Sequence, residues 1–122
     1  MQSYKELTVY KLSYEQAREI YALSEKFPEH ERYGLASQIR RAAVSVPLNI
    51  AEGYGKAETG KEVLRFLSMA RGSSAEMEVL LEFCKDLGYI SEQEYMEANE
   101  TQESVGRMLT GLIRAMRARS EL

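Results

Sequence analysis

The amino-acid sequence predicts an all-α protein: one domain over residues 1–122, an up-down-up-down antiparallel four-helix bundle with a proline-kinked second helix. Three observations lead there. Apolar residues recur at helical spacing through four separate segments. Tryptophan is absent, and the chain has only 8 glycines and 2 prolines, a composition that favours helices over strands. The stretches between the segments are short, which makes successive helices antiparallel neighbours.

The first helix is expected over about residues 9–26. Its inward positions read as Leu12, Ala17, Ile20, Tyr21, Ser24 and Phe27. Phe27-Pro28 stops it, because the residue before a proline is pushed out of the helical region. Glu29-His30-Glu31-Arg32 is then a short polar connection.

The second helix is expected over about 33–53. Its apolar stripe crosses Pro47: Leu35, Ile39, Ala42 and Val46 precede it, and Ile50 and Gly53 follow. Proline removes a donor and crowds the carbonyl of Ala43, at a cost of roughly 3 kcal/mol in a helix interior. The continuing stripe reads as one kinked helix rather than two. Gly53 and Gly55 are both candidates for a left-handed closing residue.

The third helix, about 60–87, opens on the capping box Thr59-Gly60-Lys61-Glu62. Its main stripe is Val63, Leu67, Ala70, Ser74, Met77, Leu81 and Cys84. A second stripe, Phe66, Ser73, Leu80 and Leu87, widens the face to suit more than one neighbour. Gly72-Ser73-Ser74-Ala75 is a small-residue patch where another backbone can come close, and Gly88 ends the helix. The fourth helix, about 92–118, opens on a second capping box, Ser91-Glu92-Gln93-Glu94. Its stripe is Tyr95, Ala98, Gln102, Val105, Leu109, Leu112 and Met116. Acidic residues fill its first turns and Arg114, Arg117 and Arg119 its last, which complements the helix dipole without any ligand.

One cysteine, Cys84, allows no internal disulfide and fits a reducing compartment. No apolar run approaches the roughly 20 residues needed to span a membrane. Met1 to Glu6 lack the pattern of a signal peptide. A soluble cytoplasmic protein is expected. The net charge of −3 is unusual for a nucleic-acid binder. Any such binding requires a local basic patch working against an acidic whole.

The residues that carry chemistry are scarce. The single histidine, His30, lies in a polar loop, and no His/Cys cluster has metal-ligand spacing. No Glu-x-x-His pair supports a di-iron bundle site. Arg18 and His30 lie too far apart to act together as a ribonuclease pair. Gly53-Tyr54-Gly55 follows a helix rather than a strand, the wrong context for a phosphate loop. Cys84 falls on an apolar stripe and reads as inert packing. The expectation is no enzyme, no cofactor and no small-molecule substrate.

The run from Gln38 to Gly55, with Arg65 to Ser73 and Leu87-Gly88-Tyr89-Ile90, resembles the four-helix-bundle proteins encoded by intervening sequences inside bacterial large-subunit ribosomal RNA genes. Leu7-Thr8-Val9-Tyr10 fits the same pattern, and the likeness extends from about Leu7 to about Met116. That family is similar in turn to the accessory proteins of diversity-generating retroelements, which act with a reverse transcriptase and its template RNA. The resemblance implies a homo-oligomer, typically a pentameric barrel, with RNA or an RNA–protein complex as partner.

Candidate nucleic-acid contacts are Arg40, Arg41, Lys56, Lys61, Arg65 and Arg71. Adjacent arginines point about 100° apart on a helix. One of Arg40 and Arg41 is therefore expected to pair with acids of a neighbouring helix, while the other faces solvent or a subunit contact. Arg107, Arg114, Arg117 and Arg119 crowd the last helix, so basic residues gather at one bundle end. Pro47, Asn49, Glu52 and Tyr54 form a candidate structural or interface network. Within it Glu52 seeks Arg65 or Arg71 across helices, and Asn49 caps backbone groups freed by Pro47. Tyr54 and Tyr89 either stack on bases or plug the bundle ends. The leading expectation is a non-catalytic oligomer that binds structured RNA. The rival is a protein-interaction or scaffold module with no nucleic-acid binding.

Overall fold

The computed structural model describes residues 3–120, so the expected domain 1–122 extends slightly past the described residues at both ends. Four helices follow one another: α1 (Thr8–Ser24), α2 (Leu35–Gly55), α3 (Gly60–Asp86) and α4 (Glu92–Ser120). Single 3-10 turns, Tyr4–Glu6 and Glu29–Glu31, precede α1 and α2. Among the described residues there is no strand. Each helix packs on its chain neighbours, and α1 closes against α4.

The helix starts follow the chemistry of their caps. Thr59 accepts from the Glu62 amide at 3.1 Å, while the Glu62 carboxylate reaches back one residue further than expected, to the Glu58 amide at 2.9 Å. Ser91 and Glu94 form the full reciprocal box, at 3.0 and 2.8 Å. The α2 start departs from expectation. It begins at Leu35, because the Glu31 side chain accepts from the Leu35 amide at 3.1 Å.

The helix ends correct two expectations. Neither Gly53 nor Gly55 is left-handed: α2 runs through both, and the Lys56 amide still bonds the Glu52 carbonyl at 3.1 Å. Gly53 sits tightly against α3, since a Cβ there would lie 3.1 Å from Cβ of Phe66. Gly88 alone among the described residues has positive φ, 77°. With Tyr89 bonded to the Cys84 carbonyl and Gly88 to that of Lys85, it makes a Schellman end for α3.

The core falls into two apolar clusters. One, near the α1–α2 connection, gathers Ile20, Ile39, Met77, Leu81 and Cys84. The other, near the α1 N-terminus, gathers Val9, Val46, Ile50, Leu67, Val105, Leu109 and Ile113. Each fully buried large aliphatic side chain contributes about 1.5–3 kcal/mol. Between the clusters lies a buried polar layer: Ser13 and Gln16 of α1, Ser74 of α3 and Gln102 of α4. Gln102 donates to the Ser74 carbonyl at 2.6 Å and accepts from the Ser74 hydroxyl at 3.2 Å. Both polar atoms of the Gln16 amide are buried without a partner. Burial pushes the Cys84 thiol up to about 11, which keeps it protonated and unreactive.

Several inward positions were misplaced. Tyr21 and Leu87 are exposed, whereas Ile113, beside the expected Leu112, is buried. Gly72 faces open space; Ser73 makes the contact to α2, with its hydroxyl 2.7 Å from that of Ser45.

Candidate nucleic-acid interface

Antiparallel succession puts the ends of α2 and α4 beside the starts of α1 and α3. The charge pattern becomes polar along the bundle. Lys56, Lys61, Arg65, Arg114, Arg117 and Arg119 share one end, each exposed, and outnumber Glu52, Glu58 and Glu62 there. Tyr54 feels Arg119, which places the α4 terminus beside that of α2. The opposite end carries Glu29, Glu31, Glu82, Asp86, Glu92 and Glu94. The net charge of −3 thus conceals a basic pole.

The six candidate contacts do not form one site. Arg40 is held down: its Nε donates to Ser24 Oγ at 2.6 Å, and its guanidinium lies 5.0 Å from the Tyr21 ring centroid. It fastens α2 to α1 through a hydroxyl and a ring rather than through the expected acid. Arg41 is exposed on the outer face of α2, beside a shallow trough with Leu48, Asn49 and Glu52. Lys56 and Lys61 stand at the bundle end. Arg65 lies over Phe66 at 4.5 Å.

Arg71 goes elsewhere. It is half-buried in a groove of about 600 Å³ between α3 and α4. Arg107 and Arg114 of α4 line the same groove, and a neighbouring hollow of about 290 Å³ continues it to Arg117. Ala75, Gly106 and Gly111 keep its lining small, and Glu78 and Glu103 lie toward its far end. Arg107 is tied to Glu103 at 3.9 Å and to Ser104 at 3.3 Å. Among the described residues Arg71, Arg114 and Arg117 have no ion pair or hydrogen bond. The sequence showed the α4 arginines, but their layout was already explained by the helix dipole. The seven-residue step from Arg107 to Arg114 keeps one helix face; that Arg71 meets that face required the α3/α4 register.

The structural network also differs from expectation. Glu52 forms no ion pair with Arg65 or Arg71 among the described residues. The carbonyl crowded by Pro47 is that of Ala43, yet the Asn49 amide donates to the Ser45 carbonyl at 2.9 Å and to the Ser45 hydroxyl at 3.0 Å. Pro47 is buried inside a continuous α2. Tyr54 packs against the apolar cluster at the basic end, and burial raises its hydroxyl pKa. Tyr89 packs against Phe27 and donates to Glu31, so it plugs the acidic end.

No grouping of His, Cys, Asp and Glu among the described residues is arranged to hold a metal ion. No described helix is long and apolar enough to cross a membrane.

Residues 5–111, the groove included up to Gly111, match the family of 23S rRNA-intervening sequence proteins. The chain belongs to that family. No curated protein matches this family member. Its fold is similar to a crystal structure from Bacteroides thetaiotaomicron VPI-5482, described as a protein with unknown function from the S23 ribosomal protein family. The two superpose with a TM-score of 0.80 at 24% identity, over 87% of this chain and 95% of the other.

Proposed function

We propose that this intervening-sequence family member is a non-catalytic, cytoplasmic homo-oligomer that binds structured RNA, free or within an RNA–protein complex, through the α3/α4 groove. One observation carries the reading: Arg71, Arg114 and Arg117 converge from two helices and none of them forms an ion pair among the described residues, although Glu78 and Glu103 stand toward the far end of the groove. Guanidinium groups left so are suited to phosphate oxygens. Lys56, Lys61 and Arg65 extend the positive field over the adjoining bundle end. Arg40 is occupied by Ser24 and Tyr21 and is assigned to the fold instead. The link of the family to ribosomal RNA genes agrees with an RNA partner.

A second reading, a protein-interaction scaffold, is favoured by the outer face of α2. Leu48 is 57% exposed there, and the trough beside it is bordered by Val44, by Met69 of α3, 47% exposed, and by Tyr21 of α1. Such a face suits contact between copies. This reading requires no nucleic-acid binding, and a contact between copies through α2 would by itself leave α3/α4 open.

Electrophoretic mobility shift with a structured RNA over a salt series tests the first reading. Binding at low salt that is lost on charge reversal of Arg71 and Arg114 supports it. Absence of binding, or indifference to those changes, defeats it. Light scattering of Leu48→Asp tests the α2 contact: dissociation to smaller species is expected, and an unchanged mass rules that face out.

A further inference from the structure

Resting on the RNA reading above, we infer that the α3/α4 groove takes the sugar–phosphate backbone of double-stranded RNA without regard to sequence, in preference to single-stranded RNA. The groups that face the groove decide this. Its cations are arginines, spread along α4 from Arg107 to Arg117 over about 15 Å, of which Arg107 is paired to Glu103 while Arg114 and Arg117 are unpaired among the described residues. They meet Arg71 from α3.

Among the described residues no aromatic side chain lines the groove. Proteins that hold single strands stack the bases on aromatic rings. Four tyrosines, Tyr4, Tyr10, Tyr14 and Tyr21, line a separate hollow between α1 and α2. A strand in the arginine groove finds no platform for its bases.

The group best suited to read a base edge is already used. Both ends of the buried Gln102 carboxamide are taken by Ser74. What remains is guanidinium, the Thr110 hydroxyl and two carboxylates, Glu103 paired to Arg107 and Glu78 at the far end. In A-form RNA the deep, narrow major groove keeps guanidinium groups from the base edges they read in DNA, so here they serve phosphate and 2′-hydroxyl oxygens. The lining is also open: a Cβ added at Gly111 would meet nothing within 4 Å. An open trough accepts the side of a rod more readily than it encloses one flexible strand.

The test titrates the intact protein with two RNA stems of equal length and unrelated sequence, and with a uridine homopolymer of the same nucleotide count, across a salt series. The stems are expected to bind within about twofold of each other and about tenfold tighter than the homopolymer, with a log–log salt slope near about −3 for each subunit engaged. Arg114→Gln, at an exposed position that leaves the fold intact, is expected to reduce that slope by about 1 for both stems alike. Homopolymer binding as tight as the stems overturns the inference, as does a preference of about tenfold for one stem sequence. Failure of all three RNAs to bind at low salt defeats the RNA reading itself, whereas tight homopolymer binding defeats only the duplex preference.

Discussion

The Tyr89 hydroxyl donates to Glu31 Oε2 at 2.8 Å across 58 residues of sequence. The other oxygen of that carboxylate caps α2 at Leu35. One acid therefore joins the end of α3 to the start of α2, and His30 closes the group 3.3 Å from the same hydroxyl. Gly34 makes room for it, because a Cβ there would lie 2.5 Å from Glu31 Oε1. Gly34→Ala is expected to push the carboxylate off the Leu35 amide and lower the melting temperature by a few degrees, read by circular dichroism.

The same acid gives the protein a pH dependence. The bond from Tyr89, then that from Leu35, holds the Glu31 carboxyl below its ordinary range. Glu94 is held low by Lys26 and then by the Ser91 amide. A carboxylate whose folded pKa is depressed stabilises the fold above its unfolded value, about 4.3, and that contribution is lost as pH falls through the folded value. Urea unfolding should show full stability near neutrality and a decline below about pH 4.5. Glu31→Gln should be less stable at neutral pH and decline less steeply. An equal decline in variant and parent would remove Glu31 from this role.

The unpartnered amide of Gln16 is a liability in the fold. A buried polar group without a hydrogen bond costs about 1–3 kcal/mol. Gln16→Met keeps the shape and removes the amide, so it should raise the urea-unfolding free energy by about 1 kcal/mol or more. Gln102→Met should do the opposite, since it strands the Ser74 hydroxyl. A loss of stability on Gln16→Met would show that the amide is satisfied in solution.

Two neighbouring arginines should separate cleanly. Arg40→Met forfeits the Ser24 bond and the Tyr21 ring contact, at a cost of about 1–2 kcal/mol in chemical denaturation. Arg41→Met, at an exposed site, should stay within about 0.5 kcal/mol of the parent. Equal effects would mean that the Arg40 contacts contribute nothing measurable.

Two helical glycines should respond in different ways to alanine. At Gly72 a Cβ meets nothing within 4 Å, so Gly72→Ala should stabilise by about 0.5–1 kcal/mol through helix propensity. At Gly53 the same methyl group presses on Cβ of Phe66, close to the α3 backbone, and the propensity gain should be cancelled or reversed. A Gly53→Ala variant as stable as Gly72→Ala would show that α2 and α3 have slack at this point.

Much of the architecture was legible without coordinates. Four amphipathic stripes, two capping boxes and the Gly88 stop depend on neighbours within a turn or two, so the chain itself determined where the helices lie and most of the positions they bury, Tyr21, Leu87 and Ile113 excepted. The family likeness was carried by local runs as well. Features that join distant segments were a different matter. Tertiary packing decided that Arg40 is spent on α1 while Arg71 meets Arg114, that Glu31 rather than a capping serine or threonine opens α2, and that Gly53 is tight against Phe66 rather than left-handed. Each depends on the register of one helix against another. A sliding shift of one turn, about 5.4 Å, keeps every apolar stripe while exchanging the polar partners between them.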